Sequence, residues 1–298
     1  SMSLINATAW IDTGYNGSGT KIGIIDRGFA NYSDLLDSEL PPASAVTTNW
    51  SPSIGYENSS HGTACAEIIH DIAPNASLYL QTVGPDTEWA DAVQWLISQN
   101  VDIISCSLSW LNDGPGDGTG PICESVSNAS DAGILWVNSA GNYAKKHWMG
   151  AWYDPNGDRW LNFNESYSSN EIWINAGSTA RIGLSWDDPW NASANDYNLW
   201  LYNSSTYVAW STNNQSGSQH PTEYITYTAP TSGWYYIRVW NKNADNTSNF
   251  HLFSLDQGLI DYKVASYSVI QPGDSQDSFT VGAVAWYAPS TTDGDSSN

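Results

Sequence analysis

Short apolar runs alternate with amphipathic stretches over the first half of the chain. Residues 21–25 form a β-branched run bounded by glycine, which is typical of a strand buried on both faces of a parallel sheet. Three further strands are predicted from similar runs, at residues 77–83, 101–105 and 134–137. Helical spacing of apolar residues predicts three helices, starting at His61, at Asp86 and at Pro121. This alternation favours a doubly wound, mostly parallel α/β sheet.

The pattern changes after about residue 150, where aromatic and polar residues alternate and helical spacing ends. Such two-residue periodicity between Gly, Asn, Ser and Pro turns predicts an antiparallel β-sandwich or jelly roll. The α/β pattern returns at residues 277–285. We therefore expect three segments: a first core segment 1–149, an inserted sandwich 150–256, and a return to the core at 257–298.

The charge balance narrows the class of partners. The formal net charge is −22, because only 9 Lys and Arg residues face 31 Asp and Glu residues. So few cations cannot form a basic patch, which disfavours nucleic-acid binding, and no nucleic-acid partner is expected. No apolar run is long enough to span a bilayer, and sequons such as Asn49-Trp50-Ser51, with few lysines, indicate an extracellular or cell-surface protein. An acidic surface also makes Ca²⁺ a candidate structural ion, while no catalytic cofactor is expected.

The three cysteines are Cys65, Cys106 and Cys123, an odd number that excludes complete pairing into disulfides. Cys65 is expected to be a buried free thiol. Spacing alone leaves open whether Cys106 and Cys123 pair in an oxidising compartment.

Three polar residues stand where catalytic groups of an α/β sheet are expected. Asp26 ends the first apolar run, at the sheet edge that holds ligands in open α/β folds. His61 begins a helix that Ser60 is predicted to cap, and Gly62 allows another segment to approach closely. Asn142 follows a later strand. An acid, an imidazole and an amide in this order match the needs of Ser-His-Asp chemistry, although each residue alone also fits a turn.

With these motifs, the chain resembles the subtilisin-like serine proteases (subtilases, peptidase S8). The likeness rests on Asp-x-Gly at Asp26, His-Gly-Thr at His61, Ser-Leu-Ser at 107–109, Ala-Gly-Asn ending at Asn142, and Val-Gly-Ala-Val at 281–284. It implies a subtilisin-like sheet, a polypeptide substrate, peptide-bond hydrolysis through an acyl-enzyme, and a propeptide as a further partner.

The resemblance also implies residue roles. Asp26 would orient the imidazole, His61 would act as general base and then acid, and Asn142 would donate to the oxyanion. Extended substrate would pair with the segment that follows the predicted strand 101–105. Residues that follow the predicted strand 134–137 would line the S1 pocket. The implied substrate-binding residues are Ser107, Leu108, Ser109, Ala140 and Gly141.

The family's nucleophile motif, Gly-Thr-Ser-x-Ala, does not occur in these 298 residues. We therefore expect a core that is incomplete at its C-terminus and a chain that is inactive alone. Either the serine follows Asn298 in a longer protein, or the protein is a pseudoprotease, that is, a non-catalytic surface protein that binds carbohydrate or protein through the sandwich.

The predicted sandwich resembles pre-peptidase C-terminal modules, notably at residues 196–202 and 232–239. Three carboxylates there are candidate Ca²⁺ ligands, namely Asp187, Asp188 and Asp196. Its many Trp and Tyr rings could stack on sugars or fill the core. Back in the α/β core, Arg27 and Glu67 stand where the family usually has small residues, and the sharper hypothesis is that they form an ion pair.

Overall fold

A computed structural model describes residues 5–259 and 261–284. The chain divides into two compact units, which are treated separately below. The first contains the chain up to Gly141 and from Ile270 onward, and the second is Asn142–Val269. The second unit is thus wider at both ends than the predicted segment 150–256.

The first unit is built on a six-stranded sheet in the order β14-β5-β4-β1-β3-β2, in which every pairing is parallel. Its strands are β1 Lys21–Asp26, β2 Val46–Asn49, β3 Ser77–Thr82, β4 Ile103–Cys106, β5 Leu135–Ser139 and β14 Ser278–Val281. Four α-helices are described in this unit: α1 Ala7–Asp12, α2 His61–Ile72, α3 Trp89–Ser98 and α4 Pro121–Asp131. The predicted α/β sheet is confirmed.

Both faces of this sheet are covered by helices. On one face, Ile22 and Ile24 of β1 pack in a core with Ala66 of α2. On the other, Ile25 packs with residues of α3 and α4, such as Leu96. Burial on both sides explains why β1 is a continuous apolar run rather than an alternating one.

Two elements of this unit were not predicted from the sequence. The region 41–60 was predicted to be a loop, but β2 lies within it. Its sequence Val-Thr-Thr-Asn is weakly apolar because an edge strand has only one neighbour to pair with, here β3. The six-residue helix α1 was not predicted either.

The second unit consists of two four-stranded antiparallel sheets, β10-β9-β12-β7 and β11-β8-β13-β6. Their strands are β6 His147–Ala151, β7 Asn170–Ile174, β8 Thr179–Trp186, β9 Asp196–Tyr202, β10 Tyr207–Ser211, β11 Thr222–Thr228, β12 Gly233–Asn243 and β13 Asn249–Ser254. Side chains from both sheets share one buried core, with Leu199 and Ile237 from the first sheet and Leu184 and Leu252 from the second. This is the predicted sandwich arrangement. Its likeness to pre-peptidase C-terminal modules stays a prediction.

Over the described residues, no helix combines the length and the apolar character needed to cross a bilayer.

Candidate active site

Asp26 lies at the carboxyl end of β1, in the middle of the parallel sheet. The residue is 1% exposed, and its backbone carbonyl accepts a hydrogen bond from Val83 N at 3.0 Å. Its Oδ1 accepts a hydrogen bond from the backbone N–H of Arg27 at 2.7 Å. The carboxylate is therefore held in one orientation through Oδ1, and Oδ2 points toward a different residue.

That second oxygen meets His61, the first residue of α2. The distance from His61 Nδ1 to Asp26 Oδ2 is 2.6 Å, and the histidine side chain is 54% exposed. Because an ionised carboxylate only accepts, Nδ1 carries the proton and Nε2 is left as the basic nitrogen. Burial raises the pKa of Asp26, while the hydrogen bonds from His61 and Arg27 act in the opposite direction.

Close packing at Gly62 makes this contact achievable. The Gly62 N–H donates to the carbonyl oxygen of Gly28 at 3.0 Å. A Cβ atom at position 62 would lie 2.6 Å from that oxygen and 2.7 Å from Cβ of Asp26. Only glycine therefore lets the start of α2 reach the end of β1, as the sequence predicted.

The prediction that the Ser60 side chain caps α2 was wrong. Ser60 occupies the N-cap position but makes no side-chain capping hydrogen bond. Instead, the Ser59 hydroxyl accepts a hydrogen bond from the His61 N–H at 3.1 Å. The backbone that carries the His61 ring is thus held from two residues upstream.

The proposed ion pair between Arg27 and Glu67 was also wrong, since the described residues give neither side chain an ion pair. The Arg27 guanidinium instead donates from Nη1 to the carbonyl oxygen of Gly84 at 2.7 Å. The Gly84 N–H in turn donates to the Glu88 carboxylate at 3.2 Å.

The Glu88 carboxylate connects two loops through hydrogen bonds, a role that was not predicted from the sequence. Its carboxylate accepts hydrogen bonds from the hydroxyls of Ser51 and Ser53, and these bonds lower its pKa. The available signal was an acid in the first turn of a predicted helix, which is usually explained by the helix dipole alone.

The predicted substrate-binding residues of the first unit follow two strands of the same sheet edge. Residues 107–109 come directly after β4, which pairs with β1 so that Cys106 lies opposite Ile25. Ala140 and Gly141 come directly after β5, and the Ala140 N–H donates to the carbonyl oxygen of Val281 at 2.9 Å. Their substrate-binding roles stay predictions.

Asn142 begins the second compact unit, whereas Asp26 and His61 belong to the first. Its role as an oxyanion donor stays a prediction.

The three predicted metal ligands of the second unit already have protein partners. Asp187 accepts hydrogen bonds from Asn249, and Asp188 from Ser193, Ala194 and Asn195. Asp196 lies 2.9 Å from the ammonium of Lys242. The structure does not bring these carboxylates together as a ligand group in the described ranges 5–259 and 261–284.

One cluster in the described residues does have the spacing of a metal site, and it contains the acid–base pair. Asp26, His61 and Cys65 offer donor atoms that all lie within 4.8 Å of one another. The Cys65 Sγ lies 4.0 Å from His61 Nδ1. A thiol and an imidazole are poor ligands for Ca²⁺, which prefers oxygen, so this cluster does not fit the predicted ion.

Comparison with known proteins agrees with this geometry. Residues 17–293 match the profile of the Subtilase family, peptidase S8. A thermostable alkaline protease of Halalkalibacterium halodurans is 30% identical over 160 residues, which cover 49% of this chain and 42% of the relative. Subtilisin E of Bacillus subtilis is 33% identical over 162 residues, covering 47% of this chain and 39% of the relative. The chain thus spans about two fifths of the length of these relatives.

Among solved structures, the Clostridium perfringens CspB protease is similar in fold. The TM-score is 0.57 at 13% sequence identity, and the likeness covers 96% of this chain and 75% of that one. At this identity the likeness shows the fold alone. Because the family profile matches most of the chain, and because Asp26 and His61 meet at the edge of a parallel sheet, the protein belongs to the subtilase family.

Proposed function

We propose that this chain supplies the acid and the base of a serine endopeptidase that cleaves peptide bonds through an acyl-enzyme. The observation that carries the proposal is the 2.6 Å contact between His61 Nδ1 and Asp26 Oδ2. His61 Nε2 would take the proton of a serine hydroxyl and return it to the leaving amine, while Asp26 holds the tautomer and stabilises the imidazolium.

The serine nucleophile is proposed to lie beyond Asn298 in a longer protein. Asp26 is buried, and within residues 5–259 and 261–284 its carboxylate has no ion-pair partner except His61, which is a costly arrangement for a carboxylate without a catalytic use. Asn142 is proposed as oxyanion donor, Ser107–Ser109 as the strand that pairs with substrate, and Ala140 with Gly141 as part of the S1 wall.

The setting proposed for this activity is extracellular or at the cell surface, with a polypeptide substrate. The excess of acidic over basic residues and the sequons support this location. A propeptide and a structural Ca²⁺ belong to the same proposal. The second unit is proposed as a domain inserted into the protease core.

A fluorophosphonate probe, which reacts with activated serines, tests the proposal. We expect it to label a protein extended past Asn298 to a Gly-Thr-Ser-x-Ala motif, and not to label residues 1–298 alone. His61→Ala in the extended protein should abolish labelling and lower kcat/KM on a peptide substrate by about 10⁴-fold or more. His70→Ala, at the other end of α2, is the matched control and should leave both unchanged.

Two outcomes would refute it. An extended gene without that motif, or an extended protein that keeps its activity after His61→Ala, is incompatible with His61 as the base of a serine triad.

A further inference from the structure

The sheet β10-β9-β12-β7 of the second unit presents aromatic residues on the face opposite its core. Alternation along β9 turns Leu199 and Leu201 inward, so that Trp200 and Tyr202 project outward. Trp200 lies between Arg238 of β12 and Trp210 of β10 in the strand register. In the same register, Tyr202 lies between Tyr236 and Tyr207.

These rings touch one another and form a continuous platform. Ring centroids are 4.0 Å apart for Tyr202 and Tyr207, 4.8 Å for Trp200 and Tyr207, and 5.9 Å for Trp200 and Trp210. The outermost rings remain accessible, with Trp210 58% and Tyr207 45% exposed. Core packing therefore does not account for them, since large apolar side chains gain stability only from the area they bury.

An arginine is fixed beside this platform. The Arg238 guanidinium carbon lies 3.9 Å from the ring centroid of Trp160 and 5.4 Å from that of Tyr202. Its Nη2 donates to the Ser168 hydroxyl at 2.8 Å, and its Nε donates to the Ser168 carbonyl oxygen at 3.2 Å. A side chain held by four contacts has little rotamer freedom left to lose when a ligand binds.

A cavity of about 340 Å³ opens next to the platform. Aromatic rings and hydrogen-bonding groups line it together, among them Tyr202, Tyr236, Arg238, Ser168, Asn203 and Ser204. The Tyr202 hydroxyl is shielded and lies beside Tyr207 and Arg238, so the Tyr202 ring is held in place where it forms part of the cavity wall.

The chemistry of this surface selects one class of ligand. Flat rings match the C–H faces of pyranoses, and hydroxyl, amide and guanidinium groups match their hydroxyls. The chain's net charge of −22 opposes polyanions, anionic membranes and a second copy of the chain, but not an uncharged ligand. We propose that the cavity and the platform bind a neutral oligosaccharide, with one sugar in the cavity and the next ones on Tyr207 and Trp210.

Titration of the 298-residue chain with cellohexaose and chitohexaose tests this proposal. Calorimetry and tryptophan fluorescence should report binding of at least one of them with a dissociation constant below about 1 mM. Trp210→Ala and Tyr207→Ala should each weaken binding about fivefold or more, and Tyr207→Phe should keep it because the ring remains.

Trp10→Ala is the matched control, because Trp10 is also 58% exposed but lies in α1 of the other unit. It should leave binding unchanged, and circular dichroism should show every variant folded. The proposal fails if neither hexasaccharide binds below 1 mM. It also fails if Trp210→Ala and Trp10→Ala act alike, or if tetragalacturonate or an apolar peptide binds more tightly than both.

Discussion

Replacing Gly62 by alanine tests the packing that holds the acid–base pair together. The new methyl group would lie 2.6 Å from the carbonyl oxygen of Gly28, 2.7 Å from Cβ of Asp26 and 2.7 Å from Cε1 of Phe29. Ordinary contacts between carbon atoms are about 3.5 to 4.0 Å, so the start of α2 must move away from β1 by roughly 1 Å. His61 precedes this residue and would move with it.

The energetic cost follows from two opposing effects. Overpacking of this kind costs about 1 to 3 kcal/mol, whereas the loss of a glycine from the unfolded chain returns about 0.4 to 1 kcal/mol. We expect the free energy of unfolding to fall by about 1 to 2 kcal/mol. Gly282→Ala is the control, because no atom of residues 5–259 and 261–284 lies within 4 Å of a Cβ there, and it should be neutral or slightly stabilising.

Urea unfolding followed by tryptophan fluorescence measures the stability of both variants. Proton NMR of the His61 Nδ1–H then reports whether the hydrogen bond to Asp26 survives. If Gly62→Ala matched Gly282→Ala within about 0.5 kcal/mol and kept that resonance, the claim that glycine is needed at position 62 would be refuted.

Four further predictions concern charge and thiol chemistry. In an extended, active protein, Asp26→Asn should lower kcat about 10⁴-fold through the wrong histidine tautomer, and a loss below tenfold would contradict the role of this carboxylate. Burial lowers the pKa of His147 from 6.5 to about 4, so the unfolded chain binds the extra proton and stability should fall as pH drops from 6.5 to 4, by up to about 3 kcal/mol. His147→Gln should flatten this slope in urea titrations, and an unchanged slope would exclude His147 as its source. Burial raises the pKa of Glu223 from 4.5 to about 7, so the stability linked to its protonated form is complete below pH 4.5 and is lost as pH rises through 7. Glu223→Gln should therefore gain stability relative to the parent at pH 8, and the absence of a gain would exclude Glu223 as a source of pH dependence. Cys65 is the most exposed of three free thiols, so Ellman's reagent should titrate one thiol in the native chain and three in urea, and two or three native thiols would disagree with the burial of the others.

The sequence predicted the sheet edge where Asp26 meets His61 well, because local patterns determine it. A β-branched run ending in Asp26 and a helix starting at His61 are both short-range signals, and parallel strands place their carboxyl ends together. A close approach at Gly62 was predicted for the same reason, since only one residue type permits it, and the structure shows that the approaching residue is Gly28.

Long-range pairing was harder to predict. No sequence signal near Arg27 indicates that its guanidinium donates to the carbonyl oxygen of Gly84, 57 residues away. Charge alone suggested Glu67 as a partner, but a backbone carbonyl is also a good acceptor and leaves no pattern in the sequence. The strand β2 was missed similarly, because its pairing with β3 rather than its composition makes it a strand.

For the aromatic residues of the second unit, the difficulty was to predict which side of each strand faces the core. Alternation shows that Leu199 and Trp200 face opposite sides, but it does not show which side is the core. Only the packing of two sheets around Leu199 assigns Trp200 to the outer face.

The pairing of β14 with β5 has a consequence for how this protein folds. The two strands are adjacent in the sheet but are separated by about 140 residues of chain, including all of the second unit. Closing a loop of that length costs about 2 kcal/mol more than closing a 12-residue crossover, unless the second unit folds first and shortens the effective loop. During synthesis, β5 must wait as an unpaired sheet edge until those residues have been made. Mutations that delay folding of the second unit are therefore expected to prolong the exposure of this edge and to promote aggregation through the first unit.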